Sequence, residues 1–206
     1  MKKSLLAVLL AVALVAPAFA AKGDKSINAK VGLGVSNSLK IMGVYDDSSD
    51  MFAGIKAKTP FSAGAEFFYG TSDSISLGLG VNYIFDTETT VKMGRETKIK
   101  SGTTNIYAAI KPEFKVESDI FSSIYVIGQI GLAMNRLSGE SHGSSMSMNV
   151  DNGLYLGAGF GTTIKDCVIV ELIFSSSNGS VSIEGRSADV QYTATTLNVG
   201  YKFTLK

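Results

Sequence analysis

The chain has 206 residues, 45% of them hydrophobic and 18% charged, with a formal net charge of +1. So balanced a charge excludes the strong positive field that nucleic-acid binding relies on. The single cysteine, Cys167, excludes an internal disulfide.

The first twenty residues read as a secretory signal peptide rather than as part of the fold. Lys2 and Lys3 precede an apolar run from Leu5 to Val15, and Ala18-Phe19-Ala20 supplies a small-x-small cleavage site before Ala21. The run is too short to span a bilayer. The expected organisation is therefore a leader over 1–20 and one domain over 21–206. No later stretch reads as a membrane helix, yet the chain is rich in apolar residues. A closed barrel is the other way across a bilayer, because every backbone group must be paired there.

Eight strands follow in chain order, each alternating with period two. The first carries Ile27, Ala29, Val31, Leu33 and Val35 on one face, against Lys30, Gly32 and Gly34. The second sets Phe61, Ala63, Ala65, Phe67 and Tyr69 against Ser62, Gly64 and Glu66. In the third, Ile75, Leu77, Leu79, Val81, Tyr83 and Phe85 oppose Ser76, Gly78, Gly80 and Asn82. The fourth sets Ile106, Ala108, Ile110, Pro112 and Phe114 against Asn105, Tyr107, Lys111 and Glu113. Pro112 cannot donate to a ladder, so a bulge or a strand end is expected there. The fifth sets Ile124, Val126, Ile130, Leu132 and Met134 against Tyr125, Gln129, Gly131 and Asn135. The sixth opposes Leu154, Leu156, Ala158 and Phe160 to Tyr155, Gly157, Gly159 and Gly161. The seventh opposes Val168, Val170, Leu172 and Phe174 to Glu171, with Ile169 and Ile173 breaking the pattern. The eighth sets Leu197, Val199, Tyr201 and Phe203 against Asn198, Gly200 and Lys202.

Connections near 70–74, 117–120 and 165–166 are short. Those near 45–58, 88–101, 136–150 and 176–188 are long, and the two kinds alternate. That sorting fits short periplasmic turns and longer extracellular loops. With the N-terminus in the periplasm, Phe67, Tyr69, Phe114, Phe121, Tyr201 and Phe203 fall near one rim. Phe61, Tyr83, Phe85, Phe174 and Tyr192 fall near the other. Two aromatic girdles are expected of a membrane barrel. The expected fold is an all-β, antiparallel, eight-stranded up-and-down transmembrane barrel with its apolar face toward lipid. Its small, Gly-rich face looks into a lumen that side chains can fill. A lipocalin-like barrel, with the apolar face inward, would need a hydrated outer face that the glycine-rich positions do not offer.

These features together resemble the small outer-membrane β-barrel family of the OmpA transmembrane-domain and OmpX type. The resemblance implies a place in the bacterial outer membrane. It also implies outer-membrane lipid and lipopolysaccharide, periplasmic chaperones and the barrel-assembly machinery as partners. The ending LNVGYKFTLK is similar to the C-terminal strand which that machinery reads, and this assigns Gly200, Tyr201 and Phe203 to an assembly signal. Here Thr204, Leu205 and Lys206 follow the aromatic on which the family commonly stops. No peptidoglycan-binding domain is expected after the barrel.

The inward face collects Lys30, Glu66, Lys111, Glu113, Lys115, Glu171 and Lys202. Charges inside a membrane barrel are costly unless paired or hydrated. Glu66, Lys111, Glu113 and Glu171, with Lys30, are expected to form a polar network containing at least one ion pair, while Lys115 and Lys202 lie near the periplasmic rim in water.

The function expected is non-enzymatic, a structural or surface-interaction role in the envelope. The alternative is a narrow pore or conduit for small solutes or apolar ligands. A lipid A-modifying enzyme is the remote alternative. His142-Gly143-Ser144 matches the His-x-Ser spacing of the lipid A deacylase type, but it sits mid-loop, with Glu140 before it and Asp151 well after. No cofactor and no metal site are expected, since the one His and the one Cys lie far apart. Loop 1 begins acidic (Asp46, Asp47, Asp50) and ends basic (Lys56, Lys58). Loop 2 carries Lys92, Arg95, Lys98 and Lys100 against Glu88 and Glu96 and reads as a charged hairpin extension. Loop 3 carries Met146 and Met148. No external partner is legible in any of them.

Overall fold

A computed structural model describes residues 23–42, 52–56, 59–92, 96–141, 144–148, 150–183 and 186–205. The expected leader, His142, Arg95 and the loop-1 residues Asp46, Asp47, Asp50 and Lys58 lie outside them.

The strands are β1 (Lys25–Met42), β2 (Phe52–Lys56), β3 (Phe61–Ser72), β4 (Ile75–Lys92), β5 (Glu96–Lys115), β6 (Phe121–Ser141), β7 (Ser144–Met148), β8 (Gly153–Ile164), β9 (Val168–Ile183) and β10 (Arg186–Leu205). Neighbours pair antiparallel in the order β10-β9-β8-β6-β5-β4-β3-β1, and β1 pairs with β10 to close the ring. That closing ladder runs from Lys25 opposite Leu205 to Met42 opposite Asp189. The result is an eight-stranded barrel without a free edge at membrane level. The short strands β2 and β7 sit on the outer halves of β1 and β6. Each precedes a spanning strand in the chain, with Thr59-Pro60 or residues 150–152 lying before that strand begins.

The alternation read from the sequence decides which face is which. Val31 is 62% exposed, Ile130 57% and Phe160 55%, whereas Glu66 inside is 2% exposed. Apolar residues form a continuous outer band over all eight spanning strands. So large an exposed apolar surface marks contact with lipid.

Three turns are tight. Between β8 and β9, Lys165 (φ 47°) and Asp166 (φ 61°) adopt left-handed backbone, and the Cys167 N–H donates to Ile164 O. Two successive positive φ values are what a type I′ hairpin turn requires. The opposite end differs from expectation. The stretches read as long loops 2, 3 and 4 continue largely as strand: β4 runs to Lys92, β5 starts at Glu96, and β9 and β10 reach Ile183 and Arg186. An antiparallel ladder satisfies backbone groups without outside help, and β-branched runs such as Thr89-Thr90-Val91 suit it.

Above the membrane level the ring opens. The β3–β4 ladder stops at Ser62 opposite Ile84, while β4 goes on paired with β5 alone. The β8–β9 ladder reaches Tyr155 opposite Ser177, and the Asp151 N–H donates to Ser180 O just beyond. Past that point β9 pairs only with β10. Among the described residues the outer crown is thus two sheets, β2-β1-β10-β9 and β4-β5-β6-β7.

Bulges sit where the barrel meets this crown. Val35 is extra in β1, and in β4 Phe85 and Asp86 together stand opposite Gly102 alone, so each strand gains one residue and the shift reverses the face on which the following residues lie. Asn37 and Thr87 are buried as a consequence. Pro112 lies opposite Ile75, the last pair of the β4–β5 ladder, and the β5–β6 ladder omits Lys111 and Pro112. The proline therefore takes a position that asks for no ladder donor. One girdle residue is corrected. Tyr192 lies inside at 6% exposure, with its hydroxyl 3.3 Å from Asn37 Oδ1. Even-numbered residues of β10 face inward, which the sequence reading applied only from Leu197 onward.

Candidate functional site: a filled lumen

The inward positions converge on one cluster. Lys30 on β1 places its Nζ 2.7 Å from Glu66 Oε1 of β3 and 2.6 Å from Glu171 Oε1 of β9. Residues distant in sequence meet because β1 lies beside β3 on one side and near β9 across β10. Tyrosines and amides complete the shell. The Tyr107 hydroxyl donates to Glu66 Oε1 (2.8 Å), and so does Gln129 Nε2 (3.2 Å). Tyr155 donates to Gln129 Oε1 (2.7 Å). Tyr125 donates to Glu171 Oε2 (3.3 Å), and Asn198 Nδ2 to Glu171 Oε1 (3.4 Å).

A second group lies toward the short turns. Lys111 is 3.2 Å from Glu113, which also accepts from Ser123 and stands 4.0 Å from Lys202. The Lys111 ammonium sits over the rings of Phe68 (4.7 Å) and Tyr125 (5.0 Å), an arrangement in which ring faces replace part of its hydration. Lys115 is exposed near the adjoining turn.

Of the charged residues singled out from the sequence, Lys30, Glu66 and Glu171 meet in one cluster and Lys111 and Glu113 in another. Buried charges of this kind need partners at hydrogen-bond distance, and each carboxylate has several.

Packed against the charges is an apolar core that the sequence reading did not assemble: Phe68, Tyr107, Ala109, Tyr125, Ile127, Ala133, Tyr155, Ile169 and Ile173. Ile169 and Ile173, which break the alternation of the seventh strand, belong to it. The inward glycines have a use here. A Cβ on Gly80 would lie 2.6 Å from the Tyr107 ring, and one on Gly161 would lie 2.6 Å from the Tyr125 ring. The aromatic rings lie across neighbouring strands, and only glycine lets them approach so closely. Inward parity was the signal for Tyr107, Tyr125, Tyr155 and Gln129. For Phe68 there was none beyond its even number in β3.

The remaining sequence candidates lie elsewhere. Gly200 faces inward opposite Lys30, while Tyr201 and Phe203 face lipid with ring centroids 4.7 Å apart. Ser144, Met146 and Met148 lie in β7, opposite Ser141, Gly139 and Leu137 of β6. Among the described residues no three His, Cys, Asp or Glu side chains converge to hold a metal ion. A shallow recess of about 220 Å³, lined by Ser36, Phe174, Ser175, Thr193, Ala194 and Thr195, opens on the wall beside the β1 bulge. Its lining is neutral, so it offers no charge to orient a ligand.

A family model described as the outer membrane protein beta-barrel domain matches residues 5–203. The chain belongs to that family. Its barrel is therefore one of the bacterial outer membrane. Among solved structures it is similar to Ail, the attachment invasion locus protein of Yersinia pestis, with 15% identity and a TM-score of 0.50 over 89% of this chain and 100% of that one. It is also similar to OprG from Pseudomonas aeruginosa, with 14% identity and a TM-score of 0.47 over 88% of this chain and 96% of that one. A third likeness is to the outer membrane protease OmpT from Escherichia coli, with 10% identity and a TM-score of 0.45 over 86% and 97%. At such identities the likeness speaks for the fold alone. No curated protein matches the chain.

Proposed function

We propose that this outer-membrane barrel is closed and non-conducting, and that it works as a non-enzymatic anchor presenting its crown outside the cell. One observation carries the reading: the lumen is filled. Lys30 is held between two buried carboxylates, with the Phe68, Tyr107, Tyr125 and Tyr155 rings packed beside them. A packed interior conducts little, and its hydrogen-bond network then serves stability. The two outer sheets are the part of the chain with surface to spare for partners.

A narrow conduit is the competing reading. It draws on buried acceptors without a protein partner, namely Asn28 Oδ1, Ser62 Oγ, Glu66 Oε2, Asn105 Oδ1 and Thr163 Oγ1. Acceptors of this kind are where ordered water enters a protein interior. Planar-bilayer recording of the refolded protein decides between the two. Silence from folded, inserted barrels is the expected result, and discrete reproducible steps would establish the conduit instead.

Delivery belongs to the same reading. The leader is removed after Ala20, periplasmic chaperones carry the chain, and the assembly machinery reads Gly200, Tyr201 and Phe203. The intact mass of protein extracted from outer membranes should correspond to a chain beginning at Ala21. A mass that retains residues 1–20 would refute cleavage.

A further inference from the structure

Arg136 is the one arginine that the described spanning strands turn toward lipid. Even-numbered residues of β6 face outward, as the exposed Ile124, Val126 and Ile130 do. Its guanidinium is fixed on four sides. Nη1 donates to Thr104 Oγ1 on β5 (3.0 Å), and Nη2 reaches Asp86 Oδ1 (3.3 Å) and Ile84 O (3.5 Å) on β4. The Tyr83 ring lies beneath it, 4.5 Å from centroid to Cζ.

The level of this cluster follows from the outward residues of the same three strands. They are apolar from Ile75 to Phe85 on β4, from Phe114 to Ile106 on β5 and from Ile124 to Met134 on β6. Each run covers about ten residues, the length a tilted strand needs to cross the hydrocarbon. Asp86, Thr104 and Arg136 come next in each strand. They stand at the outer headgroup level, with Tyr83 and Phe85 as the aromatic belt below.

An intramolecular role does not account for the arrangement. The Arg136 side chain is 40% exposed and that of Asp86 51%. Exposed pairs of this kind add little stability. Yet local structure is arranged around this one. The β4 bulge turns Asp86 outward, and Gly102 opposite leaves the room, since a Cβ there would meet Asp86 Oδ1 and lie 2.9 Å from Arg136 Nη2. Two residues further along the outward face of β5, Lys100 adds an exposed ammonium near Glu88 (3.9 Å). A pre-oriented guanidinium with donors still open, beside a tyrosine and at headgroup height, has the chemistry for a phosphate group.

We propose that Arg136 is a docking site for the phosphate of an outer-leaflet lipid, held in orientation by Thr104, Asp86 and Tyr83. The proposal rests on the outer-membrane placement of the barrel and is independent of whether the lumen conducts. Asp86 has a double part. It orients the guanidinium and also repels the incoming anion, which keeps the contact exchangeable.

The test is retention of lipid A by the refolded full-length mature protein in mixed micelles. Lipid A with its phosphates is compared with lipid A from which they have been removed. Wild type should prefer the phosphorylated form by about tenfold. Arg136→Gln should abolish that preference, and Arg136→Lys should keep part of it as a point charge without the planar fork. Asp86→Asn is the discriminating variant. If the cluster were only structural, D86N, like R136Q, would leave the preference unchanged. If it receives phosphate, D86N should raise the preference, because a repelling charge is gone. Heat-modifiable gel mobility checks that each variant is folded. A preference unchanged in folded R136Q overturns the proposal, and so does a loss of preference in D86N. Displacement of lipid A by an equal concentration of inorganic phosphate would overturn the lipid as the source.

Discussion

Replacing Lys30 by Met is expected to cost about 3–5 kcal/mol of barrel stability, the range for removing one partner of a buried charge group. The side chain is close in length, so the loss comes from charge rather than from a cavity. Without the ammonium, Glu66 and Glu171 remain as two carboxylates in a nearly dry interior. Both side chains are at most 2% exposed, and Lys30 is the cation within 2.7 Å of each. Tyr107, Gln129, Tyr125 and Asn198 still donate to them, but neutral donors do not cancel two charges. The urea midpoint in micelles, followed by the gel mobility of unheated samples, measures the loss. The triple variant K30M/E66Q/E171Q should recover much of it, because replacing all members of a buried ionic group is often close to neutral. Glu171→Gln alone should cost less than K30M, since Lys30 keeps Glu66. A K30M barrel within about 1 kcal/mol of wild type would mean that hydration of the carboxylates, rather than Lys30, offsets the cost of their charge.

Truncating Phe68 to Ala is the second large effect, again about 3–5 kcal/mol. Its ring is 1% exposed and lies so close to the neighbouring strand that a Cβ on Gly78 would come within 2.6 Å of it. Two consequences follow from removal. A void opens among large side chains that the rigid strand wall cannot close by collapse, and Lys111 loses a ring face 4.7 Å away. The combined variant F68A/Y125A removes both rings that flank Lys111. It should turn a silent barrel into one with discrete conductance steps, because the space then becomes continuous with the hydrated short-turn end. If the double variant is folded and still silent, the block lies higher, at the Lys30 cluster. If F68A leaves the urea midpoint unchanged, the ring is not part of the packed plug.

Membrane barrels are legible in sequence for a physical reason that these residues illustrate. Ile75, Leu77, Leu79 and Val81 must meet lipid, and Ser76, Gly78, Gly80 and Asn82 must not, so solvent pressure acts on every second residue. Strand identity, face and closure follow from that alternation. The apparent exception at Ile169 and Ile173 is instructive. Alternation reports what lipid demands of the outer face, and it places no matching demand on inward positions buried in a packed interior. An apolar residue is therefore as acceptable inside as a tyrosine. The hairpin extensions were less legible. Beyond the membrane no environment punishes either face, so residues 88–92 and 96–101 carry charges and threonines in strand without a clean period. Tyr192 was misplaced for a related reason, because the strand it belongs to begins far before its apolar part.

The sequence by itself determined an eight-stranded barrel with lipid outside and the roster of luminal charges, because each of these depends on period two and on hydrophobic burial alone. Only the tertiary structure decided that Lys30 joins Glu66 to Glu171, that four aromatic rings fill the lumen over glycine gaps, and that Arg136 stands among Tyr83, Asp86 and Thr104. Those contacts join strands through cross-strand register and bulges. A one-residue shift at Val35 or at Phe85-Asp86 reverses which residues meet, and neither shift has a mark in the linear pattern.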